Sequence, residues 1–193
     1  MGETKASVDS TILLKGVRLS FSDLFVATQF EGKGPFSYGA TVLVETGSEN
    51  DKMIQAAITR VANAKWEKKA PEIMKTIVGQ SGKCCYIDGN QKAYDGYAGK
   101  WALTSKRPKD AGPPKVVDRN PTVVLTGEEG RIYSGCYVNI KVSLWAQDND
   151  FGKAIRSSLV SLQFKEDGES FGGAPQSNTD GFENEEGDSS EFE

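Results

Sequence analysis

Polar and apolar residues alternate most regularly between Arg131 and Gln147, RIYSGCYVNIKVSLWAQ. From Tyr137 onward Val138, Ile140, Val142 and Leu144 share one side, while Tyr137, Asn139, Lys141, Ser143 and Trp145 share the other. This is the two-residue period of a strand with one face in a core. The opposite face carries two rings beside a lysine, a composition suited to stacking bases next to a positive charge. Tyr and Trp are equally at home in an ordinary strand whose outer face is covered, so the pattern alone leaves both readings open.

The same reading extends along the chain. Residues 11–21 (TILLKGVRLSF) form a first strand, and the following stretch to Pro35, with Gly32 and Gly34, is expected to be a loop carrying Phe25 and Phe30. Residues 36–44 (FSYGATVLV) form a second strand with Tyr38, Ala40, Val42 and Val44 on one face. Ser48 and Asp51 have the spacing of a helix cap. The helix they open has a buried stripe of Ile54, Ala57, Ile58, Val61 and Lys65 or Trp66, with Trp66 read as a core or capping ring. A short second helix starts at Pro71 and stops near Gly79. Residues 83–87 are expected to form a short strand. Residues 88–121 are rich in Gly, Pro and basic side chains and resemble strand only at 100–105 and 115–117, which predicts a protruding hairpin or binding loop. Residues 123–125, the strand described above, a turn at 148–152 and a last strand at 153–164 complete the pattern. Strands, one main helix and further strands predict an α+β or mostly β domain, most economically a small closed barrel.

Charge sharpens this picture. The 193-residue chain has a formal net charge of −4, yet nothing after Lys165 is basic and ten acids follow it. Residues 1–165 hold all 23 basic residues against 17 acidic ones, a net +6. A basic body with an acidic tail is compatible with a nucleic-acid partner despite the low overall pI. The composition beyond Asp167 cannot bury enough surface to offset ordering, so residues 172–193 are expected to be disordered, after an N-terminal arm at 1–10 and a domain at 11–171. Phe182 and Phe192, isolated among Glu185, Glu186, Asp188 and Glu191, are candidate bait for a partner with a basic and apolar pocket. No apolar run approaches a membrane span and no secretion signal is visible, which predicts a cytoplasmic protein.

Catalytic signatures are weak. The chain has no histidine and so lacks the commonest general base and zinc ligand. Cys84, Cys85 and Cys136 fit neither a disulfide framework nor a zinc knuckle, and are expected to be reduced thiols. GQSGKC at 79–84 is too short between its glycines for a phosphate loop and lacks the magnesium-binding hydroxyl. The oxygen-rich segments 88–96 and 148–152 do not follow the EF-hand pattern. No enzyme activity, metal or cofactor is expected.

The positive signals are electrostatic and aromatic. Lys100, Lys106, Arg107, Lys109, Lys115 and Arg119 fall within twenty residues, opposed only by Asp110 and Asp118. Such a basic segment beside Tyr94, Tyr97 and Trp101 could track phosphates while rings stack on bases, although lysines also serve simply to keep a loop solvated. Arg131, Lys141, Lys153 and Arg156 could continue the track, with Tyr137 and Trp145 as further stacking rings and Tyr38 as a weaker candidate.

YSGCYVN at 133–139, WAQDNDFGKAIRSSLVSLQFKEDGESFGG after it, RLSFSDLF at 18–25 and KWALTSKRPKDAGPPKVVD at 100–118 together resemble a family of phage single-stranded DNA-binding proteins first catalogued as a domain of unknown function. The resemblance covers most of residues 11–173 and implies an OB-fold, binding of single-stranded DNA in phage replication and recombination, and an acidic C-terminal tail. Repair is expected as a further role, and tethered charge predicts that the acidic tail competes for the basic groove and, when displaced by DNA, recruits replication proteins. It supplies no contact residues, so the site above rests on charge and ring placement. Two alternatives stay open at this stage: an RNA or duplex-DNA binder, and a phage structural or partner-recruiting protein in which the basic segment is only solubilising.

Overall fold

The computed structural model describes residues 10–172. Of the expected arm at 1–10, residues 1–9 lie outside the described residues, and of the expected tail at 172–193, residues 173–193, with Phe182, Glu185, Glu186, Asp188, Glu191 and Phe192, do so too. Among the described residues seven strands and two α-helices follow in the order β1 (Thr11–Phe30), β2 (Lys33–Glu45), α1 (Glu49–Trp66), α2 (Ala70–Ile77), β3 (Tyr86–Asp88), β4 (Lys100–Pro108), β5 (Lys115–Val117), β6 (Tyr137–Asn149) and β7 (Gly152–Glu166).

Five of the strands close on themselves. The order β4-β2-β1-β6-β7 is antiparallel throughout, and β7 returns parallel to β4 through Lys106 and Ser158. This is the closed five-stranded barrel of an OB-fold. The free edge of β7 receives three segments in turn: Cys84 opposite Ile155, Lys106 opposite Ser158, and β5 opposite Ser161 to Gln163. The closure is therefore stitched from both sides.

Strand β1 is long because it serves two partners. Its first half pairs with β6 and its second with β2, and bulges between Leu14 and Val17 and between Leu19 and Phe21 turn it around the barrel. Gly16 supplies the left-handed backbone for the first bulge (φ 63°), and its N–H donates to Asn139 Oδ1 at 2.9 Å. Inward-facing Leu14, Leu19, Val42, Leu103, Ile140, Leu144, Leu159 and Phe164 fill the interior. The helix α1 covers it with Ile54, Ala57, Ile58, Val61, Ala62 and Trp66. Trp66 rather than Lys65 completes the stripe, and its Nε1 donates to Asp148 Oδ2 at 3.0 Å, tying the helix to the β6–β7 hairpin.

Asp51 anchors the other end of α1. Its buried carboxylate accepts from Gly47 N–H (2.7 Å), Gln55 Nε2 (2.7 Å) and Tyr86 Oη (2.9 Å). Burial works against its ionisation, but these donors outweigh it and hold the pKa below the ordinary carboxylate value. Burial and then the same hydrogen bond push the Tyr86 phenol upward.

Several sequence expectations change. Residues 22–30 are strand rather than loop, because β1 continues into a hairpin whose turn is Glu31–Gly32. Within the stretch 88–121, the strand expected at 100–105 is β4, a barrel strand that continues to Pro108, and the strand expected at 115–117 is β5. Residues 123–125 make only a bridge from Val124 to Val117. The signature strand begins at Tyr137, and the residues before it form a joint. At this joint Ser134 Oγ donates to Ser20 O, Gly135 N–H donates to Leu19 O, and Tyr133 Oη bonds to Asp167 and Gly168. Gly135 has φ 109°, and a Cβ there would overlap the Glu169 carbonyl oxygen. The YSGCYVN motif thus clamps residues 167–171 across the barrel. Phe171 completes the clamp by packing on Leu43, Tyr97 and Ala102, with Arg18 4.3 Å from its ring centroid.

Candidate nucleic-acid interface

Along β4 the side chains of Trp101, Leu103 and Ser105 turn toward the barrel, whereas Thr104 and Lys106 face outward. That outer face is the floor of a groove. The end of the β1–β2 hairpin stands on one side of it, and the outer end of β6–β7 on the other. Three contiguous hollows make up the groove, and all three are bordered by Phe30 and Lys106.

The largest, of about 540 Å³, lies between β4 and β7 and is lined by Ile87, Lys92, Pro108, Trp145 and Arg156. The second, of about 390 Å³, lies over β1 and β2, with Phe21, Tyr94 and Thr41 as walls and Asp23 and Glu31 at its rim. The third runs behind the hairpin tip past Lys33, Pro35 and Phe36. Each of the first two has room for a base.

The rings in this groove are exposed to an extent that folding alone does not explain. Phe30 is 73% exposed, Tyr94 53%, Phe21 51%, Phe36 45% and Trp145 44%. Five rings left in solvent within one groove mark a surface built to be covered. Their settings are ordered. Phe21 and Tyr94 meet edge to face at 5.1 Å, and Trp145 Nε1 donates to Ser158 Oγ at 3.1 Å. Lys106 Nζ lies 5.9 Å from the Phe30 centroid, and Lys109 Nζ lies 5.2 Å from that of Phe36. Arg156 is held by bonds to Gln147 Oε1 and Gly82 O, at 3.1 and 2.8 Å. Rings and cations alternate along a channel, which is the arrangement that binds single strands through base stacking and phosphate neutralisation.

Of the candidates read from the sequence, Tyr94, Lys106, Trp145 and Arg156 line this groove, and Lys109 adjoins it. The others are placed elsewhere or are engaged in the fold. Trp101 stacks on Tyr86 at 5.1 Å, and Lys100 pairs with Glu45. Arg107 donates to the carbonyls of Ala111 and Gly112, bracing the turn after β4, and half-buried Tyr38 sits opposite it in the β2–β4 register. Lys153 pairs with Asp148 at 2.6 Å. Arg119 donates to Lys165 O, Arg131 faces Asp118 at 3.7 Å, and Tyr137 lies under Arg18. Lys115 and Lys141 border a separate hollow with Leu13 and Pro121 that shares no lining residue with the groove. Tyr97 is buried and accepts from Ser20 Oγ.

Sequence reasoning missed Phe21, Phe36, Lys33 and Lys92, and took Phe30 only as a loop residue. The available signal was QFEGKGPF, an aromatic on either side of a glycine-rich turn, which is a hairpin tip with a ring on each strand. Phe151 repeats the device at the β6–β7 turn, where it is 88% exposed.

Cys84 and Cys85 lie in the wall of the largest hollow. The Cys85 thiol donates to Cys84 and draws its pKa down to about 7 against the effect of burial, with the Tyr86 N–H and Arg156 assisting. Cys85 is pushed up in turn by that bond and by burial. Among the described residues no group of acids and cysteines is arranged to hold a metal.

Residues 10–192 match the family model described as the single-stranded DNA-binding protein of Enterobacter phage Enc34. A putative protein, p50, of Acyrthosiphon pisum secondary endosymbiont phage 1 is 39% identical over 174 residues, covering 89% of this chain and 92% of that protein. Among solved structures, the single-stranded DNA-binding protein of bacteriophage Enc34 in complex with single-stranded DNA superposes with a TM-score of 0.69. It is 22% identical, over 84% of this chain and 90% of that one. The single-stranded DNA-binding protein gp2.5 of bacteriophage T7 superposes with a TM-score of 0.56 at 13% identity, over 92% of this chain and all of that one. Taken with the closed barrel and its ring-lined groove, these matches establish that the chain belongs to the Enc34-type family of phage single-stranded DNA-binding proteins.

Proposed function

We propose that this protein is a non-enzymatic single-stranded DNA-binding protein that coats phage DNA during replication, recombination and repair in the host cytoplasm, largely without sequence preference. The observation that carries this reading is the groove between the two hairpins, in which solvent-exposed rings alternate with Lys92, Lys106 and Arg156. Stacking and phosphate contacts tolerate any base, and the rings are reachable only by bases that are already unpaired. This favours a single strand over a duplex.

The acidic tail fits the same reading. Gly172 N–H donates to Asp95 Oδ2 at 3.2 Å, and the neighbouring Tyr94 lines the groove. The last described residue therefore stands beside the groove, and acids tethered from this point would compete with DNA for a cationic channel at high effective concentration. Strand binding would displace the tail and free it for replication or recombination proteins.

The test is a competition of oligo-dT against matching duplex and RNA strands, for the full chain and for a form ending at residue 172. Oligo-dT is expected to bind at least about tenfold more tightly than duplex, and truncation to tighten binding by roughly 3- to 10-fold at low salt. Equal retention of duplex or RNA would instead support a general nucleic-acid binder, and unchanged affinity after truncation would remove the tail from the groove.

A further inference from the structure

The three hollows of the groove differ in charge in a way that general single-strand binding does not require. The hollow of Trp145 and Arg156 has cations and no carboxylate in its lining, and so does the one behind the hairpin tip with Lys33. These two adjoin across Pro108, Lys106 and Phe30. They form a continuous cationic track. The hollow of Phe21 and Tyr94 has only Lys106 at its boundary and carries Asp23 and Glu31 at its rim. Thr28 Oγ1 donates to Asp23 at 2.9 Å, which fixes that carboxylate at the entrance.

A phosphodiester is repelled by such a rim, whereas the face of a base is not. The edge-to-face pair of Phe21 and Tyr94 offers an apolar wall, and the Thr41 and Thr104 hydroxyls, 3.0 Å apart, supply polar contact beside it. Phe30 stands at the junction of all three hollows with Lys106 above it. A strand following the cations must turn at this ring to put a base into the hollow of Phe21 and Tyr94.

We propose that the groove is two unlike compartments divided by Phe30: a cationic track that captures the backbone, and an acid-rimmed aromatic side chamber that adds base stacking without adding phosphate contacts. Strands too short to pass Phe30 use only the track. Longer strands gain affinity from the chamber, and that gain is independent of salt because no further cation is neutralised there. This inference rests on the groove being the binding site.

The experiment measures oligo-dT of about 4 and about 12 nucleotides, lengths spanning the usual range for one OB-fold, at two salt concentrations on the full chain and on Tyr94→Ala and Trp145→Ala. Tyr94→Ala is expected to weaken the long strand about 5- to 10-fold more than the short one, with the same salt slope as the parent. Trp145→Ala is expected to weaken both lengths by a similar factor. The division is overturned if Tyr94→Ala weakens both lengths equally, weakens neither, or changes the salt slope. In those cases loss of binding in Trp145→Ala still leaves the groove as the site. If Trp145→Ala also binds both strands like the parent, the groove reading falls with it.

Discussion

Reversing two charges, Lys92→Glu together with Lys106→Glu, should reduce affinity for single-stranded oligo-dT by about 100-fold at moderate salt, because two phosphate contacts are lost and two repulsions introduced. The salt dependence should flatten as well, by about 0.7 in slope for each cation removed. These lysines are chosen because neither forms an ion pair among the described residues and both line the groove. Arg156 would be a less clean probe, since its guanidinium also bonds to Gln147 and Gly82. The matched control is Lys115→Glu with Lys141→Glu, which makes the same charge change at the separate hollow beside Leu13. That pair should lower affinity by no more than about threefold, through the general field of the body. Gel shift or anisotropy at two salt concentrations reads both variants, and equal loss in the two pairs would mean that net charge rather than the groove governs binding.

Gly135→Ala should be the most damaging small substitution in the body. Its φ of 109° is accessible to glycine and strained for alanine, at a cost of roughly 1–3 kcal/mol. In addition, the new methyl group would overlap the backbone of Glu169. Residues 167–171 would have to lift, loosening Arg18 Nη2 from Glu169 O (2.6 Å) and Phe171 from Leu43, Tyr97 and Ala102. A total near 3 kcal/mol lowers the melting temperature of a chain of this size by about 6–12 °C. Thermal unfolding followed by circular dichroism gives the number directly. An unchanged midpoint would mean that the clamp contributes nothing to stability.

How far the sequence disclosed this molecule depended on whether a signal was local. The period-2 run of Val138 to Leu144 and the stripe from Ile54 to Trp66 are local, and both elements stand where the pattern placed them. The closed barrel was legible from the succession of strands. The continuation of β1 to Phe30 was obscured because its second half faces solvent and its bulges break the alternation. The stretch at 100–119 illustrates the same limit in the site. Its six cations look alike in sequence, yet β4 sends Lys106 into the groove, Arg107 onto the Ala111 and Gly112 carbonyls, and Lys115 into another hollow with β5. Charge clustering along the chain does not reveal which side of a strand each charge occupies. Trp101 and Trp145 posed the same ambiguity, which only the barrel's curvature resolves: one stacks on Tyr86, and the other opens into the groove.

These two tryptophans, with Trp66, also provide the most direct test. Trp66 is buried under the barrel, Trp101 is half-buried against Tyr86, and Trp145 alone of the three borders the groove. The measurement is the quench of tryptophan fluorescence by oligo-dT in Trp145→Phe, Trp101→Phe and Trp66→Phe, each of which keeps an aromatic ring. If the groove holds the strand, the quench disappears in Trp145→Phe while binding by anisotropy persists, and it survives in the other two. A full quench in Trp145→Phe, or its loss in Trp101→Phe, would place the strand elsewhere on the barrel.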